Sequence, residues 1–156
     1  MKKVGFLVVL LMIAGAVFGQ NNDILNMIEG LTNNFPTTKD RARKTMISNG
    51  FIPAGGGYVN SFEGISIEST LQFESNSINK TEIAFILIFD NDAYFVKFVR
   101  EFLSYFSNRR EVSFNGSGDT INYYVFYNKD EPTTLSMMYD INKYKNNVFL
   151  FISLNN

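Results

Sequence analysis

The 156-residue chain contains no cysteine and no histidine, and these absences exclude whole classes of chemistry. Without cysteine there is no disulfide framework, thiol nucleophile or thiolate metal site, and the acylated cysteine of a bacterial lipoprotein is ruled out. Without histidine there is no serine-histidine triad, no 2-His-1-carboxylate iron site and none of the usual zinc sets. The expectation is a protein with no catalytic set, no metal and no cofactor. Basic charge is scarce as well: 14 Lys and Arg stand against 15 Asp and Glu, so no electrostatic case for nucleic acid exists.

Long apolar runs are also few. One opens the chain, MKKVGFLVVLLMIAGAVFGQ, where Lys2 and Lys3 precede an uncharged stretch from Val4 to Phe18 and small residues suited to signal peptidase. The run is shorter than the roughly 20 residues a bilayer-crossing helix needs, and the pattern reads as a secretory signal peptide over residues 1–19. Its removal takes away Lys2 and Lys3 and leaves 12 basic against 15 acidic residues. The expected mature unit, 20–156, is then a single exported domain, periplasmic or extracellular, with no transmembrane segment. An exported chain without cysteine suits a bacterial envelope better than a small eukaryotic secreted scaffold, which is usually stapled. Apolar residues make up 46% and aromatics 15% of the chain, a composition that builds a hydrophobic core.

Ile24, Leu25, Met27, Ile28 and Leu31 recur at helical spacing behind Asn22 and Asp23. A second helix is expected from the TTKD capping arrangement at Thr37–Asp40 to about Asn49, closed by Gly50, Phe51 and Pro53. The glycine run Gly55–Gly57 fails as a phosphate cradle. A helix precedes it, extended chain follows it, and neither G-x-G-x-x-G nor G-K-[ST] is present. It reads as a helix-to-strand connection.

Beyond it, Ile65, Ile67, Leu71 and Phe73 alternate with polar residues, as in a strand with one wet face. Tyr58–Phe62 is placed to pair with that strand. Thr81–Phe89 (TEIAFILIF) is apolar on both faces and reads as central in a sheet. Asp90, Asn91 and Asp92 then cap a helix carrying Phe95, Phe98, Val99, Phe102 and Phe106 on one stripe. Strands recur at Thr120–Tyr127, Thr133–Ile141 and Val148–Leu154. The expected fold is α+β: an antiparallel sheet of about five to six strands with two or three helices packed on it. Residues 38–89 and 92–154 each run helix, strand, strand, strand, a candidate tandem duplication. This order is similar to layouts in some secreted bacterial inhibitory and envelope proteins, an analogy of layout that carries no functional residue across.

Three strands present bulky groups on both sides, and one helix layer hides one side. Something must cover the second: the short N-terminal helices, which are the simplest choice, sheet curvature, an identical subunit in a homodimer, a partner protein or an apolar ligand. Tyr124, Phe126, Phe149 and Phe151 are therefore the candidate ligand-binding or interface residues. Other constellations carry less. Ser77–Lys80 spells S-x-x-K but lies in a polar turn without its companion motifs. Asp90–Asp92 opens like a calcium loop and then continues Ala93-Tyr94-Phe95. Glu63, Glu68 and Glu74 are the carboxylates available for glycan cleavage, and Lys39, Arg41, Arg43 and Lys44 make the second helix basic. The functional expectation is an exported, non-enzymatic binding or protein-interaction domain for an envelope or extracellular protein. The alternatives are a carboxylate-dependent glycan hydrolase of the envelope and a carrier of a small apolar ligand.

Overall fold

The computed structural model describes residues 23–62, 64–73, 81–114, 116, 121–140 and 146–154. The expected signal peptide, Glu63, Glu74 and Ser77–Lys80 lie outside the described residues. In chain order the elements are α1 (23–33), α2 (Lys39–Ser48), β1 (Ile52–Ala54), β2 (Gly57–Phe62), β3 (Ile65–Gln72), β4 (Glu82–Phe89), α3 (Asp92–Ser107), β5 (Glu111–Phe114), β6 (Ile121–Tyr127), β7 (Thr133–Asp140) and β8 (Asn147–Leu154). No described helix is long and apolar enough to cross a membrane.

The helix ends follow their local chemistry. Thr38 caps α2, its Oγ1 accepting from the Arg41 amide. The helix closes where the Gly50 amide donates to Ile47 and the Phe51 amide to Met46, with Gly50 at φ +84°. That pair of bonds is the Schellman arrangement, and it folds Phe51 back beside Met46 in the core. Asn91 caps α3, its Oδ1 accepting from the Tyr94 amide at 3.0 Å.

The eight described strands form one antiparallel sheet in the order β1-β2-β3-β4-β8-β7-β6-β5. Two four-stranded meanders meet at the β4–β8 pair, so TEIAFILIF sits at the centre, as its two-sided apolar pattern predicts. The sheet is wider than the five to six strands expected, and each half runs helix and four strands rather than helix and three. The extra strands are β1 and β5, the two edges. They are only 3 and 4 residues long and mostly exposed, so neither carries the buried alternation that marks a strand in sequence.

Register fixes which side chains share a face, because directly paired residues of an antiparallel ladder point the same way. One face holds the buried Ile83, Phe85, Leu87 and Phe89 of β4, Val148, Leu150 and Ile152 of β8, and Leu135 and Met137 of β7. The three described helices pack on that face. From α3, Phe98 meets Phe89 and Phe102 meets Phe126, at ring separations of 5.1 and 5.6 Å. From α1, the Thr32 carbonyl accepts from Thr133 Oγ1 at 2.8 Å. At the end of α2, the Asn49 carbonyl accepts from Asn60 Nδ2 at 3.1 Å, and Phe51 meets Phe85. The simplest expectation, that the short N-terminal helices cover the other side, is thereby corrected. Ile24, Leu25, Ile28, Leu31 and Met46 join the same core as α3. Among the described residues no helix lies on the second face.

A polar clamp ties the helix ends to the sheet. Arg110, its side chain 3% exposed, pairs with Glu131 of the β6–β7 turn and donates to Asn33 Oδ1 at 2.6 Å. Beside it, Tyr105 donates to Glu29 of α1, and Arg109 stacks on the Tyr105 ring at 3.8 Å.

Candidate functional site

The helix-free face can be read row by row from the strand register. One row runs Ile52, Val59, Glu68, Ile86, Phe149, Met138 and Tyr123 across β1, β2, β3, β4, β8, β7 and β6. The next runs Thr70, Ala84, Phe151, Ser136, Val125 and Ser113. A third runs Gln72, Glu82, Ser153, Thr134, Tyr127 and Glu111. Phe149, Phe151, Tyr123, Tyr127, Met138 and Ile86 thus form a contiguous half-buried field over the four central and right-hand strands, with polar and acidic residues around it.

Within this field lies a depression of about 440 Å³ lined by Glu82, Tyr123, Val125, Thr134, Ser136, Phe151, Ser153 and Leu154. Its two buried lining residues are Glu82 and Ser136. Ser153 Oγ donates to Glu82 Oε2 at 2.8 Å, and the Tyr123 hydroxyl donates to Ser136 Oγ at 3.2 Å. Among the described residues, the lining combines aromatic and aliphatic walls with hydroxyls and one carboxylate, and has no basic side chain.

The four candidate residues divide between the two faces. Phe149 and Phe151 stand on the helix-free face, where they are half-buried. Tyr124 and Phe126 stand on the helix side: Phe126 is fully buried against Phe102 and Phe106, and Tyr124 stacks on Tyr139 at 6.4 Å. Burial, together with the hydrogen bond and negative charge of Tyr124, pushes the Tyr139 phenol up to about 12. The sequence does contain both parities of β6, with Tyr123 and Val125 opposite Tyr124 and Phe126. Which parity meets the helices depends on pairing to Leu135 and Met137 across the ladder, and that is set by tertiary register. Glu82, Tyr127, Met138 and Ile86 join the site for the same reason. Their sequence signal is the two-sided apolar strand pattern, without an address for either side.

The remaining constellations separate clearly. Gly55 and Gly56, at φ +56° and +88°, form the two-residue turn between Ala54 and Gly57 that joins β1 to β2. Positive φ at both positions is the type I′ hairpin geometry, so the run is a turn and no phosphate cradle. The turn borders a second depression, about 430 Å³, with Lys39, Asp40 and Arg43 of α2 on its rim. Asn91 serves as a helix cap, and no metal-binding cluster of His, Cys, Asp or Glu occurs among the described residues. Glu68 is exposed on the helix-free face, paired between Val59 and Ile86. No known family model matches the chain, and no curated protein or solved structure does so either.

Proposed function

We propose that the protein is an exported, non-enzymatic binding protein that works through the helix-free face of its sheet. The observation that carries this reading is the contiguous field of Phe149, Phe151, Tyr123, Tyr127, Met138 and Ile86 on the side away from α1, α2 and α3. Each aromatic residue brings on the order of 150–250 Å² to bury, and a contiguous apolar patch of several hundred Å² marks an interaction site on a soluble protein. Aromatic residues and methionine at the centre with polar residues at the rim is the anatomy of a protein interface. The face extends over most of the sheet and is shallow, which suits a protein partner better than an enclosed small molecule. Export is supported by Lys2, Lys3 and the apolar run Val4–Phe18. The carrier and hydrolase readings gain less from the geometry, because both depressions are open at the surface and Glu68 is exposed.

Site-specific photo-crosslinking in the producing cells tests the reading. A benzophenone side chain in place of Phe149 is expected to capture a discrete partner, and one in place of Ile47, which is 48% exposed on α2, is not. Capture from both positions alike, or from neither, refutes the assignment of the face.

A further inference from the structure

The two edges of the sheet are built differently. β1 carries Pro53, which has no backbone N–H to donate, and this blunts the edge against a further strand. β5 has no proline, lysine or bulge: Glu111, Val112, Ser113 and Phe114 pair in unbroken register with Tyr127, Phe126, Val125 and Tyr124 of β6. Alternate residues of an antiparallel strand turn their N–H and C=O groups away from the neighbour, and among the described residues no strand pairs with the outer side of β5. Glu111, with Arg109 and Arg110 just before it, already has an ion-pair partner, as those two do: Lys129, Glu29 and Glu131 respectively. What this edge offers is therefore backbone and apolar side chain rather than charge.

Its apolar side chains share one side. Val112 and Phe114 pair with Phe126 and Tyr124, so they point to the helix side and stand apart from the field of Phe149 and Phe151. They are 39% and 56% exposed, and Phe114 is the most exposed phenylalanine among the described residues. Its ring lies against Tyr124, at 4.9 Å between centroids, and Tyr124 in turn stacks on Tyr139. Phe114 is thus held in place from within the sheet while more than half of it faces outward. We propose that the outer edge of β5 receives an extended peptide segment of a partner protein as a further antiparallel strand, with apolar residues at alternate positions seated on Val112 and Phe114. In strand addition the backbone ladder supplies affinity, and side chains two residues apart, which lie on one face, supply specificity. This surface is separate from the helix-free face and does not rest on the function proposed for it. A second copy of the chain is a poor occupant. Two-fold pairing about Ser113 would set Val112 of each copy on Phe114 of the other, and that register is allowed. However, a ladder of 4 residues, about 13 Å long, buries on the order of a few hundred Å² per copy, against about 800 Å² per partner in a stable complex. Chaining β5 of one copy onto β1 of the next meets Pro53.

The experiment is an NMR titration of the purified protein with the strand peptide acetyl-Lys-Val-Thr-Val-Thr-Lys-amide. The peptide is expected to shift the amides of Val112, Ser113 and Phe114 and to leave those of Ile52 and Ala54 on β1 in place. Two modified peptides separate a ladder from apolar contact alone, one N-methylated at both valines and the other at both threonines. Because a strand directs alternate N–H groups to opposite edges, one modified peptide should bind about tenfold more weakly than the parent and the other should bind like it. Phe114→Thr, which keeps a strand-favouring residue at an exposed position, should weaken the parent peptide about fivefold, whereas Phe149→Ser on the other face leaves it unchanged. Equal loss in both modified peptides, or in neither, overturns strand addition, and it does so on the wild-type protein, whatever becomes of the variants. Absence of shifts at Val112–Phe114 at millimolar peptide, or shifts confined to the helix-free face, overturns the assignment of the edge. A dimer in equilibrium sedimentation that Phe114→Thr dissociates puts a second copy on β5 and overturns the partner peptide.

Discussion

Replacing one phenylalanine on each face of the sheet separates the side on which the helices pack from the side on which no described helix packs. Phe126 is fully buried on the helix side, with its ring 5.6 Å from Phe102 and 5.8 Å from Phe106. Truncation there removes the whole transfer term and leaves a cavity between β6 and α3, so Phe126→Ala should cost about 3–5 kcal/mol. At roughly 2–4 °C per kcal/mol for a chain of this size, the melting temperature should fall by about 6–20 °C. Phe149 lies only half-buried on the other face, so Phe149→Ala loses part of its packing on Ile86 and Met138 and some strand preference, about 1 kcal/mol. Thermal unfolding followed by far-ultraviolet circular dichroism measures both. A Phe149→Ala variant as damaged as Phe126→Ala would refute the reasoning, because it would mean that the second face is packed as tightly as the first.

Three further substitutions test what holds the layers together. Arg110→Ala should destabilise by about 3 kcal/mol, because it strands the partly buried Glu131 carboxylate and releases Asn33 of α1; denaturant unfolding at matched m-value reads it. Asn91→Ala should cost about 1 kcal/mol by removing the acceptor for the Tyr94 amide at the start of α3, measured in the same way. The Tyr139 phenol is raised from 10.0 to about 12, so the native state holds a proton that the unfolded chain releases first. Its stabilising contribution is therefore complete below pH 10 and is lost as pH rises from 10 to about 12. Tyr139→Phe should remove that alkaline loss and the late step of the tyrosinate absorbance titration. A loss unchanged in the variant would show that another group is responsible.

Much of the architecture is legible in the residues. The stripes Ile24–Leu31 and Phe95–Phe106, the cap at Asn91 and the Gly50-Phe51 closure place three helices, because each is a short-range pattern that the backbone must satisfy locally. The two-sided apolar run of β4 places it in the middle of the sheet. The edges are not legible. β1 and β5 lack buried alternation because their pairing is to one neighbour and their side chains stay largely in water. Nor is sidedness. Met137 and Met138 differ only by one step of the pleat, and it is the pairing of Met137 with Leu150 and Tyr124 that turns one inward. The same one-step ambiguity separates Tyr124 and Phe126 from Phe149 and Phe151. Glu82 reads in sequence as a polar strand start; only its pairing with Gln72 and Ser153 sets it beside Phe151 in the depression.

The inequivalence of the two faces is tested most directly at that pair of methionines. Met137 has no exposed surface, whereas Met138 is half-buried on the helix-free side. Dilute peroxide oxidation of the isolated native protein, followed by fragment-resolved mass spectrometry, should convert Met138 to the sulfoxide at least tenfold faster than Met137. Equal rates at the two positions, or protection of both, would contradict a second face left open by the described helices.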